Sequence, residues 1–297
     1  MTRILLSLIS YNFLCLFLMN VALASISVED DTGQHIELNK PAKRIISLSP
    51  GMTELLFAAG GGAYVKGVVS YSDFPQAAKK IQQVGSYNSV DLEKILALNP
   101  DLVVAWESGN PALQISKLKK LGLTVYISEP RNFDDIPSTL ERLGTLMDTT
   151  ATATSAANDF RRELAMLKQR YAKNKTITKS VYIQIWNQPL MTINGEHLIS
   201  RIIEFCNGRN IFHDVGQLTL SLDVETILAK NPDTIIVTRE GDLGNEWLSR
   251  WRQWDFLNAV KNRELHTANP DHLVRHTPRI IQGITQVCGF LQPQIKP

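Results

Sequence analysis

From Arg44 onward, short apolar runs alternate with longer stretches in which apolar positions recur every three or four residues. The runs RIISLS, YVKGVVS, DLVVAW and TVYIS read as strands, and TELLFAAG, LEKILALN and ISKLKKLG between them as helices. Strands this apolar, joined through helices, predict a parallel sheet covered on both faces. Gly60 and Gly122 stand where left-handed helix ends are expected, and Pro100 stops the helix before it. Ahead of this region, SISVEDDTGQHIEL predicts a hairpin turning at Asp30 to Gly33. From Ser180 the pattern begins again with SVYIQIW, HLISRIIEFCNG, VETILAKN, DTIIVT, a Trp-rich helical run and RELHTAN.

The repetition is literal in one place. DLEKILALNPDLVVAW, from Asp91, and DVETILAKNPDTIIVT, from Asp223, share eight of sixteen positions. Asp91 and Asp223 are expected N-caps, Glu93 and Glu225 lie in the first helical turn, and Asn-Pro-Asp ends each helix and leads into a buried strand. Between the copies, TATATSAANDFRRELAMLKQRYAKNK contains neither Gly nor Pro and places Phe160, Leu164, Leu167 and Tyr171 at helical spacing. It predicts a rod roughly 37 Å long holding two lobes at a nearly fixed spacing. The expected fold class is α/β, with two Rossmann-like lobes built on central parallel sheets and joined by one long rigid helix. The expected boundaries are 25–147 for the first lobe, 148–176 for the linking helix and 177–297 for the second lobe.

Composition narrows the partners. The chain has 297 residues and a formal charge of +2, with its basic residues scattered, which argues against a nucleic-acid partner. Residues 1–24 carry Arg3, an apolar middle and Ala22-Leu23-Ala24, the layout of a cleaved secretory signal rather than of a membrane anchor, since Asn12 and Asn20 interrupt the apolar run. Export to an oxidising compartment would let Cys206 and Cys288, each at the end of an apolar helical stretch, form one disulfide; two buried core thiols are the alternative.

Ligands of open α/β sheets sit beyond the carboxyl ends of the strands. There the chain places Pro50, Gly51, Tyr71, Tyr87, Trp106, Trp186, Asp271, His272 and Arg275. A single Trp at a strand end is as readily explained by packing, and Asp271 and Arg275 by pairing with each other. Four aromatics at strand ends of two lobes favour a ligand cleft. His272 and His276 are four apart, but Thr277 and Pro278 read as the N-cap and first residue of the final helix, which leaves both histidines in a loop and predicts no metal site. The nucleophile, phosphate-loop, dinucleotide and zinc motifs of enzymes are missing. An exported hydrolase using Ser47 or Ser49 would lack an evident base, so a binding protein without a catalytic cofactor is expected.

RIISLSPGMTELLFAAG, VSYSDFP, VGSYNSVDLEKILALNPDLVVAW, CNGRNIF, VETILAKNPDTIIV and TPRIIQGITQVC, in this order, resemble the periplasmic cobalamin-binding proteins of bacterial ABC importers. These belong to the class III receptors for metal chelates. NPDLVV marks only that class, while VSYSDFP followed by VG and a Trp after DLVVA points to the cobalamin branch. The resemblance implies a periplasmic monomer that binds cobalamin between its lobes, with Tyr71, Tyr87, Trp106 and Asp271 against the corrin and Pro50 and Gly51 presenting backbone beside it. It also implies delivery to a membrane permease dimer with its ATPase subunits, Glu93 and Glu225 docking on arginines of the two membrane subunits. For either glutamate alone the helix dipole is sufficient explanation. Two positions depart from the pattern: Thr219, or a neighbour, replaces an aromatic, for which Trp186 is the expected compensation, and His272 stands where an aromatic is usual. A siderophore or haem receptor of the same class is the competing reading, with a cationic cluster for an anionic chelate, or Tyr71 or Tyr87 as axial ligand to haem.

Overall fold

The computed structural model describes residues 25–171 and 179–295. The expected export segment 1–24 lies outside them, as do residues 172–176 of the expected linking helix. The first sheet has five parallel strands in the order Gln82–Gln83, Val65–Val68, Ile45–Ser47, Leu102–Trp106 and Val125–Ser128. Ile45, Ile46, Leu102, Val103 and Val104 are inaccessible to solvent, because helices cover both faces. Burying such a side chain contributes about 1.5–3 kcal/mol, so the central strands anchor the lobe. The second sheet is also parallel, in the order Gly208–Asn210, Lys179–Gln184, Thr234–Val237 and Leu265–Thr267.

The repeated sequence is one structural device used twice. Asp91 accepts a hydrogen bond from the Lys94 amide at 3.0 Å, and Asp223 from the Thr226 amide at 2.9 Å, which starts the helices Leu92–Ala97 and Val224–Lys230. Asn99 and Asn231 both turn through φ +43° to leave them. The aspartate after each proline then ties the unit to the adjacent strand. Asp101 accepts from the amides of Lys43 and Arg44 at 2.9 and 3.0 Å, and Asp233 from the Ser180 amide and hydroxyl at 2.9 and 2.7 Å.

Helix Asp135–Met147 precedes the linking helix Thr150–Tyr171 and packs against it, the chain reversing at Asp148, φ +57°. Gly144 permits the close approach, since a Cβ there would stand 2.3 Å from that of Ala153. The linking helix has 22 residues, about 33 Å, and buries Ala153, Ala157, Phe160, Leu167 and Tyr171. These side chains join the inner faces of both sheets in a single core, while each outer face has its own smaller core. Lobe spacing is therefore held by side-chain packing along the helix as well as by its stiffness.

The second lobe is not a copy of the first. It adds an antiparallel sheet of Trp186–Asn187, Leu190–Ile193 and Thr219–Ser221 that the strand-and-helix reading does not anticipate. The final helix runs Ile280–Leu291, two residues later than its expected start; ahead of it Thr277 accepts the Arg279 amide at 3.3 Å and the Ile280 amide donates to the Thr277 carbonyl at 2.9 Å, a tighter turn than the α-helix that follows. Cys288 in that helix is bridged to Cys206, which follows helix Leu198–Phe205. Among the described residues, no helix is long and apolar enough to cross a membrane.

Candidate functional site

A cleft of about 300 Å³ lies between the carboxyl ends of the two sheets. From the first lobe it is lined by Pro50, Gly51, Tyr71, Tyr87 and Trp106, and from the second by Trp186, Asp271 and Arg275. His272 is not in the lining. It is the third residue of the short helix Pro270–Leu273, and its backbone packs on Gly283 of the final helix. Thr219, in the added antiparallel sheet, also lies outside the lining.

The aromatics are held by their local structure. Tyr71 is 76% exposed and adopts φ +66°, an uncommon conformation for a residue with a bulky side chain. Trp106 ends its strand and is partly buried. Its ring lies over Gly109, where a Cβ would come within 1.8 Å of a ring carbon. Asn110 ties the surrounding loops together, accepting the Trp106 amide at 2.7 Å and donating to the carbonyls of Leu48 and Tyr87 at 2.9 and 2.7 Å. Glu129 accepts the Ser108 amide at 2.8 Å; burial raises its carboxyl above the ordinary range. Trp186, half exposed, meets Trp247 edge-on at a centroid distance of 6.4 Å.

Ser49, in the cleft lining, and the fully buried Ser47 have structural roles. Ser47 donates to the Ser49 carbonyl at 3.0 Å and accepts from Thr53 at 2.9 Å, while Ser49 caps helix Pro50–Ala58 by accepting the Met52 amide at 3.1 Å. Among the described residues, no group of three or more His, Cys, Asp or Glu is placed to hold a metal ion.

An ionic cluster runs between the lobes at the cleft, of which strand-end reasoning reaches Arg275 and Asp271 but misses Glu54, Asp73 and Arg279. Glu54 accepts from Arg275, Thr277 and both Nε and Nη2 of Arg279, at 3.0, 3.0, 2.9 and 2.6 Å. Arg275 also pairs with Asp73 at 2.7 Å and Asp271 at 2.9 Å. Burial opposes ionisation of Asp73, but its hydrogen bond to Arg275 and the charge of that guanidinium outweigh burial and lower its pKa. The lone acid in the apolar stretch TELLF was the available signal for Glu54. Thr238, Arg239 and Trp247 also line the cleft. The strand-end rule, applied to Thr234–Val237, would have found the first two.

His276, in the lining, meets His197 edge-on at 5.1 Å, both rings being buried. Burial, with the neighbouring charges of His276 and Arg131, lowers the His197 pKa well below the ordinary value. Burial likewise lowers His276 from 6.5 to about 4, against a hydrogen bond with the Pro130 carbonyl. His197 also uses the lone pair of Nδ1 to cap helix Leu198–Phe205, accepting the Ile199 amide at 3.1 Å. An unfolded chain would bind protons at these residues more readily than the folded one, so stability is complete above about pH 6.5 and declines as pH falls toward 4. Denaturant midpoints measured across that range should fall with acidification, and His276→Gln should flatten the decline. An unchanged slope in the variant would remove His276 as the cause.

The family model described as "Periplasmic binding protein" matches residues 45–271. The chain is 37% identical over 253 residues to a vitamin B12-binding protein of Vibrio cholerae, covering 85% of this chain and 90% of the relative. The crystal structure of the periplasmic vitamin B12 binding protein of Vibrio cholerae superposes with a TM-score of 0.78 at 36% identity, over 86% of this chain and 99% of that one. A periplasmic heme binding protein from Pseudomonas aeruginosa shares the fold at 22% identity with a TM-score of 0.74, over 86% and 95% of the two chains. With the family model spanning both lobes and a relative of this identity matched along nearly its whole length, the chain belongs to the periplasmic binding protein family.

Proposed function

We propose that this chain captures a corrinoid of the vitamin B12 class between its two lobes and delivers it to the permease dimer of an ABC importer. The observation that carries the reading is the aromatic cleft, with Tyr71, Tyr87 and Trp106 on one lobe facing Trp186 and Trp247 on the other. Flat faces suit a broad macrocycle, and Asp271 can accept hydrogen bonds from its peripheral amides. The 37% identity to a protein named for vitamin B12 binding supports the same ligand. In this reading residues 1–24 are a cleaved export signal, residues 25–147 and 177–297 form the lobes, and residues 148–176 form the link of a periplasmic monomer. The protein works by binding and release, without a catalytic cofactor. Glu93 and Glu225, exposed at matched helix starts and outside the cleft lining, are its docking residues.

A haem receptor is the competing reading, favoured by the exposure of Tyr71, which leaves a phenol free to reach a metal. Mixing the protein with cyanocobalamin, hemin or a ferric siderophore, desalting and recording absorbance separates these readings. Retention of cyanocobalamin is the expected result, and retention of hemin alone would overturn the corrinoid reading. Trp106→Ala should weaken corrinoid binding by about 1–3 kcal/mol, as loss of an aromatic anchor does. Titration by tryptophan quenching checks this, and unchanged affinity for every corrinoid tested would remove Trp106 from the site.

A further inference from the structure

Two of the arginines at the cleft, Arg275 and Arg279, do not present free positive charge. Arg275 lines the cleft, yet its guanidinium is held by Glu54, Asp73 and Asp271, and its side chain is only 12% exposed. Arg279, next along the chain on the same side, is bound by two of its nitrogens to Glu54 and has Phe74 of the first lobe over its guanidinium at 4.1 Å. Glu54 is the centre of this arrangement. Its side chain is 2% exposed, it belongs to the first lobe, and the side-chain groups that hydrogen-bond to its carboxylate come from the second.

Arg239 lines the cleft separately and forms no ion pair among the described residues. Around the cleft, three carboxylates (Glu54, Asp73 and Asp271) therefore balance three guanidiniums (Arg239, Arg275 and Arg279). An anionic ligand entering here finds Arg239 as its one unpaired guanidinium among the described residues, while Arg275 and Arg279 are already neutralised and the exposed carboxylates of Asp73 and Asp271, 45% and 37% accessible, oppose it. A ligand edged with neutral amides meets donors and acceptors without a charge mismatch. Removing one carboxylate would leave the cleft net positive in a partly desolvated place, where screening by salt is weaker than at an open surface.

We propose that Glu54 and Asp73 are specificity-determining residues: by neutralising Arg275 and Arg279 from across the lobe boundary, they make the cleft select amide-edged over carboxylate-edged chelates. Both act through the arginines and are positioning residues. This inference rests on the corrinoid reading and concerns which corrinoids are accepted.

The test uses a matched pair of ligands, cyanocobalamin and its derivative with one peripheral amide hydrolysed to a carboxylate, measured by tryptophan quenching at low and high salt. The unaltered protein is expected to prefer the amide form. In Glu54→Gln and Asp73→Asn the preference ratio should move toward the acid by roughly tenfold at low salt, and the movement should shrink at high salt. A purely structural role would weaken both ligands equally and leave the ratio in place. Asp73, exposed at 45%, can be changed with little risk to folding, so Asp73→Asn carries the test if Glu54→Gln does not fold. An unmoved ratio in the folded variants, with the amide form still bound, overturns the inference alone. Failure of the unaltered protein to bind either corrinoid overturns the corrinoid reading and this inference with it.

Discussion

Changing Glu93 and Glu225 together to lysine is expected to abolish corrinoid import and stimulation of the importer's ATPase, while ligand affinity and melting temperature stay nearly unchanged. Both glutamates are exposed, neither lines the cleft, and each stands in the first turn of a helix whose start is already capped by the preceding aspartate. The structural cost is therefore limited to the interaction with the helix dipole, about 0.3–1 kcal/mol at each site. Docking would suffer far more, because the two acids occupy equivalent positions on lobes held at a set distance by the packed helix Thr150–Tyr171, and would meet two equivalent membrane subunits. Single variants should retain part of the activity and the double variant none. Reversing the partner's arginines to glutamate should restore part of it. Normal uptake by the double variant would reduce the acids to helix-end charges, and loss of ligand binding would place them in the cleft.

Replacing Cys206 and Cys288 together by alanine is expected to lower stability by about 4 kcal/mol. The bridge closes a loop of 82 positions, and the cost follows from the larger conformational freedom of the unlinked unfolded chain. At this chain size the melting temperature should fall by roughly 10 °C, with the loss concentrated in the second lobe, since both half-cystines lie there. Thermal melts of the variant, and of the unaltered protein under reducing conditions, check this, and mass mapping without reduction checks the bridge itself. Two alkylatable thiols in the native, unreduced protein, or an unchanged melt, would show that the sulfurs act only as buried packing.

Much of the architecture was legible in local sequence. RIISLS, DLVVAW and DTIIVT could bury their apolar side chains only as strands covered on both faces, and the Asp-to-Asn-Pro-Asp unit carries its own cap and its own stop. The strand-end rule reached Pro50, Gly51, Tyr71, Tyr87, Trp106, Trp186, Asp271 and Arg275, all of which line one cleft, because in a parallel sheet chain direction alone decides which loops share an edge. The cysteines needed only compartment and helix ends to suggest a partner.

What stayed hidden depended on contacts between distant parts of the chain. His272 and His276 are equivalent in spacing arguments, yet one backs onto Gly283 and the other lines the cleft against His197, a choice made by how the Pro270–Leu273 turn packs. Asn110 has no local mark of importance, and its role exists only where three loops converge. Glu54 and Arg279 are separated by 225 positions, and the sequence holds no rule that pairs them. Periodicity, caps and strand direction are properties of neighbouring residues and so are written along the chain. The charge balance of the cleft arises only once the packed linking helix has set one lobe against the other, which brings Glu54 into a desolvated site where its carboxylate must find the second lobe's arginines.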